Sequence, residues 1–88
     1  MPTHRRGYVP PEGFIPNPEV ASQVAKAILV PIYGEAQIKL EMPFRIQLRG
    51  DVWVIDGREY LPKNVLGGYV HMELSRRDGR VLCVMHYM

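Results

Sequence analysis

The chain predicts an α+β domain, one N-terminal helix packed on a four-stranded antiparallel sheet, and three observations predict it. One stretch, from Asn17 to about Tyr33, carries the 3.6-residue apolar spacing of a helix. Two later stretches each hold a pair of runs with period-two alternation around a short polar turn, the pattern of a β-hairpin. In all four runs the apolar set falls on one face, so a single covering helix completes the core.

Residues 1–16 read as an extended arm ahead of a domain over 17–88. Four of the sixteen are proline and no periodicity is visible. Phe14 and Ile15 stand where they can pin the arm's end against the core. Asn17-Pro18-Glu19 then starts the helix: Asn caps free N–H groups, Pro is tolerated in the first turn, and Glu opposes the positive end of the dipole. Val20, Val24, Ala27 and Ile28 form the expected apolar stripe, with Glu19, Ser22, Gln23 and Lys26 on the wetter side. Pro31 lacks the N–H that would bond back to Ala27, and Gly34 supplies the stop.

From Glu35 to Pro43 the weak alternation of Ala36, Ile38, Leu40 and Met42 predicts a short edge strand or an irregular connection. Phe44 to Leu48 and Val52 to Asp56 form the first hairpin around Gly50-Asp51. That turn pairs Leu48 with Trp53 and Ile46 with Ile55 on the core face, and Gln47 with Val54 and Arg45 with Asp56 on the other. A link from Gly57 to Gly68 follows, in which Tyr60 and Leu61 either cap the open end of the sheet or serve a partner.

The second hairpin joins Tyr69–Ser75 to Arg80–His86 through Arg76-Arg77-Asp78-Gly79. A regular ladder sets Leu74 opposite Val81, Met72 opposite Cys83 and Val70 opposite Met85 on the apolar face. On the reverse it sets Tyr69 with His86, His71 with Val84 and Glu73 with Leu82. This reverse face is too polar for a core and too apolar for an ordinary wet surface, which marks it as the functional candidate.

Bulk properties narrow the classes. The 88 residues, 47% hydrophobic and 23% charged, are those of a globular domain, with no apolar run long enough to span a bilayer and no signal-peptide core near the start. A cytoplasmic protein with no membrane partner is expected. The net charge of +2 is spread along the chain, so nucleic acid is not expected either, and Arg5-Arg6 reads as part of a solvated tail. Cys83 is the single cysteine, and its pairing with Met72 makes it a buried structural thiol. His71 and His86 lie diagonally on one face in this ladder, but nothing completes a tetrahedral set with them, and no metal or cofactor is expected.

The order of motifs resembles a known group. The helix end Ile28-Leu29-Val30-Pro31-Ile32-Tyr33-Gly34, the Pro43-Phe44 segment leading to Gly50-Asp51-Val52-Trp53-Val54-Ile55-Asp56-Gly57, the run Gly67-Gly68-Tyr69-Val70-His71-Met72-Glu73-Leu74 and the Asp78-Gly79-Arg80-Val81-Leu82 turn together are similar to the small immunity proteins with a nuclear-transport-factor-2-like fold of bacterial polymorphic toxin systems. The resemblance covers roughly residues 17 to 88. It implies a reduced form of the cone-like, cystatin-like architecture and a non-enzymatic antidote that occludes a cognate toxin domain. It brings no fixed catalytic set, and the ending His86-Tyr87-Met88 departs from the His-Gly pair usual in such chains.

On that basis the partner-binding face comprises Tyr69, His71, Glu73, Leu82, Val84 and His86, with Arg45, Gln47 and Tyr60 beside it. One alternative is a small-molecule-binding or catalytic member of the same fold, with a cavity lined by Tyr60, His71 and Glu73. Another is a structural module whose mixed face makes a homodimer, so the free protein is expected as a monomer or a homodimer.

Overall fold

The computed structural model describes residues 7–58 and 68–87. Its elements run α1 (Pro18–Tyr33), α2 (Glu35–Glu41), β1 (Arg45–Arg49), β2 (Val52–Asp56), β3 (Tyr69–Ser75) and β4 (Val81–Tyr87). The strands form one antiparallel sheet in the order β1-β2-β3-β4. The α+β class and the four-strand sheet hold, and a second helix joins the expected one.

Helix α1 begins where its chemistry dictates. The Val20 N–H donates to Asn17 Oδ1 at 2.9 Å, Pro18 occupies the first turn and Glu19 sits at the positive end. Pro31 lies inside the last turn, and Gly34, at φ 94°, ends the helix with its N–H on the Val30 carbonyl. The stripe is rotated by one residue from the expected one. Ala21, Ala25 and Leu29 are fully buried, Val20, Val24 and Ile28 flank them, and Ala27 faces water. The two alanines present almost no side chain, so the helix backbone can approach the sheet closely along that line.

Residues 35–41 are helical, which corrects the expected strand or connection. Gly34 also opens α2, its carbonyl accepting the Ile38 N–H. The face that turns inward is Ile38, Glu41 and Met42, spaced by three and four, whereas Ala36 and Leu40 are exposed. Helix α1 packs on α2, β1 and β2.

The core lies between the helices and one face of the sheet. Leu29, Ile38, Ile55, Val70, Met72 and Leu74 have no exposed surface, and Phe44, Trp53 and Ile15 complete the cluster. Burying each of the larger aliphatic side chains stabilises the fold by about 1.5–3 kcal/mol. Trp53 takes its expected place there and donates its indole N–H to the Ile15 carbonyl at 2.7 Å. Ile15 is held in turn by its own N–H on the Arg76 carbonyl, beside Phe14 N–H on that of Arg77. Phe14 itself is half exposed.

Among the described residues, one charged side chain is buried in this layer. Glu41, 1% exposed, accepts the Val70 N–H at Oε1 and the Gln37 side-chain amide at Oε2, both at 2.7 Å. The Arg58 N–H donates to the Glu41 carbonyl at 2.7 Å. The end of α2 is thereby fastened to the end of β2 and the start of β3.

The first hairpin has the predicted register throughout, from Arg45↔Asp56 to Arg49↔Val52. The second does not. Leu74 pairs with Val81, a bulge follows, and the ladder resumes one residue out of step as Glu73↔Cys83, Met72↔Val84, His71↔Met85, Val70↔His86 and Tyr69↔Tyr87. Leu82 is the extra residue. A one-residue slip moves every later side chain to the opposite face.

Candidate functional site: the far face of the sheet

The bulge decides which side chains share the face away from the helices. Tyr69, His71 and Glu73 of β3 are there as predicted, with Gln47 and Arg45 of β1 and Val54 and Asp56 of β2. From β4 the face receives Cys83, Met85 and Tyr87 instead of the expected Val84 and His86. Val84 packs against the core, and His86 lies over Tyr33 of α1, ring centroids 5.5 Å apart, with Nε2 3.9 Å from the buried Glu41. The two histidines therefore stand on opposite sides of the sheet, and a cation bridging them is ruled out by the register. Leu82 has no Cα partner in the ladder and is 42% exposed. Tyr60 lies outside the described residues.

His71 is the centre of the face. Its Nδ1 lies 2.7 Å from Asp56 Oδ1 across the β2–β3 ladder, and its Nε2 lies 2.7 Å from Glu73 Oε2 two residues along its own strand. The side chain is 12% exposed against 23% for Asp56 and 36% for Glu73, so a trio of titratable groups sits partly out of water. Burial alone lowers the imidazole pKa. The hydrogen bonds to Glu73 and Asp56 and the charges of both carboxylates outweigh it, and the pKa is raised above 6.5. A doubly protonated ring satisfies both contacts by donating from each nitrogen.

Around this trio the face is aromatic and apolar. Tyr87 stands 5.1 Å from the Tyr69 ring and 5.7 Å from the His71 ring, both tilted. Met85 and Tyr87 are 41% and 39% exposed. Pro43, Arg45, Arg58 and Tyr69 border a depression at the same end of the sheet. Rigid aromatic area together with Met and Arg is what protein interfaces use. The residues missed from sequence are Cys83, Met85 and Tyr87, whose places depend on the bulge. Asp56 stands on this face opposite Arg45 as expected, and its contact with His71 is what the sequence did not show.

Among the described residues no helix is long and apolar enough to cross a membrane. The chain is similar to the uncharacterized protein YbbC of Escherichia coli (strain K12), 34% identical over 67 residues, which make up 76% of this chain and 54% of that protein. It thus spans about half the length of this curated relative. No solved structure matches it. Residues 20–88 match the family described as NTF2 fold immunity protein, a match that takes in all of the sheet, α2 and α1 from Val20 onward. Two helices on one face of a four-stranded antiparallel sheet agree with that match, and the chain belongs to the family of NTF2 fold immunity proteins.

Proposed function

We propose that the protein is the immunity partner of a toxin domain of a bacterial polymorphic toxin system, acting in the cytoplasm, and that it neutralises that toxin by steric occlusion with the far face of its sheet. The observation that carries this reading is the character of the face itself. Tyr69, Met85 and Tyr87 keep apolar surface open around the His71 trio, while both helices lie on the opposite side. Arg45 and Gln47, both exposed on β1, extend the contact area, and Tyr60 belongs to the link that follows β2. The role is non-catalytic. Both His71 ring nitrogens are engaged by carboxylates, so neither is free to take a proton from a substrate.

Growth protection on co-expression with the toxin encoded beside the immunity gene tests the face. Tyr69→Ala and Met85→Arg are expected to abolish protection, with binding weakened on the order of 30-fold or more for a central anchor, while far-ultraviolet circular dichroism stays native. Full protection by both folded variants would remove this face from the interface.

A further inference from the structure

The bulge does more than shift a register. In a regular ladder Cys83 would sit against Met72 in the core; with Leu82 inserted, it stands opposite Glu73 on the His71 face. The Cys83 thiol, a Glu73 carboxylate oxygen and a His71 ring nitrogen then lie within 4.8 Å of one another, all three partly buried. These are three different metal-ligating groups converging from two neighbouring strands.

We propose that His71, Glu73 and Cys83 bind a borderline-soft divalent cation of the zinc class, with a fourth position left to water or to a partner. The donor set of one imidazole nitrogen, one carboxylate oxygen and one thiolate is that of zinc and its cobalt substitute, and unlike the all-oxygen shells of magnesium or calcium. Asp56 supplies the outer contact such sites use. It accepts from Nδ1 at 2.7 Å, which fixes the ring and leaves Nε2 directed at Glu73. The cation takes the place of the proton now held between Nε2 and Glu73 Oε2. With metal bonds of about 2.0–2.3 Å, tetrahedral ligands stand roughly 3.3 Å apart or more, so Glu73, whose side chain is 36% exposed, must swing outward by a fraction of an ångström from its 2.7 Å contact. On binding, the thiol and the Nε2 position each release a proton to solvent.

The experiment uses the untagged full chain alone, stripped with a chelator, and so does not depend on which protein the face occludes. Cobalt(II) titration is expected to develop thiolate-to-cobalt charge-transfer absorption saturating at one equivalent, and zinc to displace it. Cys83 is the only cysteine, so cobalt bound elsewhere adds no such band. Cys83→Ser is expected to abolish the absorption, and Asp56→Asn to weaken affinity about 10–100-fold while leaving the band in place. Glu73→Gln, at a partly exposed site, provides a ligand variant whose fold is checked by circular dichroism, and it is expected to lose affinity as well. Absence of the charge-transfer band in the wild-type chain, or a zinc affinity unchanged by Cys83→Ser and Glu73→Gln, overturns the proposal.

Discussion

At the scale of single residues, three side chains join parts of the chain that are far apart in sequence. The Trp53 indole N–H reaches the Ile15 carbonyl across 38 positions, in a buried setting. Trp53→Phe keeps most of the ring but strands that carbonyl, and the expected loss is about 1–3 kcal/mol in urea unfolding. A loss under about 0.5 kcal/mol would mean the carbonyl finds water. Glu41 does the same for the Val70 N–H. Glu41→Ala should destabilise by about 1–3 kcal/mol or more and Glu41→Gln by less, since the amide keeps an oxygen for Val70; equal effects would show that charge, not the acceptor, matters. Gly57→Ala probes the same contact, because its Cβ would fall on Glu41 Oε1. His71 gives a pH dependence with a defined sign. Its folded pKa is raised above 6.5, so the stability it contributes is fully present below 6.5 and lost as pH rises through the folded value. In chelator-containing buffer, the stability difference between wild type and His71→Gln is therefore expected to shrink as pH rises from below 6.5 to well above it, and a difference that grows over that range would contradict the assignment.

At the scale of elements, legibility followed how much pattern each segment carried. Helix α1 has a cap, a first-turn proline and a terminal glycine, and β2 and β3 alternate without a break, so their bounds and the β1–β2 register could be read directly. Helix α2 could not. Seven residues with Ala36, Ile38 and Leu40 at even spacing imitate a strand, and the residue that makes the inner face helical is Glu41, a carboxylate whose burial depends on Val70. Strand β4 begins Val81-Leu82-Cys83-Val84-Met85, five apolar residues in a row, so parity there holds no information and the extra residue leaves no trace. The Asp56–His71 contact needed the β2–β3 register, which the intervening link does not encode. The bulge is open to a direct test. Cys83, on the far face and partly exposed, should react with a maleimide in the native, metal-free protein far faster than global unfolding allows, and bound zinc should protect it. Labelling only at the unfolding rate would place the thiol in the core and restore the regular ladder.

At the scale of the molecule, the two ends of the sheet are secured differently. One end is closed by Glu41 from α2. At the other, Arg76 of the β3–β4 turn bonds Asp51 of the β1–β2 turn at 2.7 Å and both the carbonyl and carboxylate of Glu12. The guanidinium holds the Asp51 carboxyl below its ordinary range, but these are exposed pairs, and salt screens them. The stronger constraint there is backbone. Gly13 sits at φ 87° with its open side against the Arg76 carbonyl, and the next two residues bond into the turn. Gly13→Ala meets both a left-handed backbone, costing about 1–3 kcal/mol, and a clash with that carbonyl. Since Ile15, two residues on, is the acceptor for Trp53, displacement of this segment should be seen from the core. We expect Gly13→Ala to lower stability by at least that backbone cost and to shift native tryptophan emission to the red, because Trp53 is the only tryptophan and its 5% exposure depends on Ile15 staying in place. Added salt should leave this loss unchanged, while it diminishes the effect of Arg76→Ala. A Gly13→Ala protein with wild-type stability and emission would show that the segment before α1 folds independently of the turn it touches, and that the Trp53–Ile15 bond alone holds it.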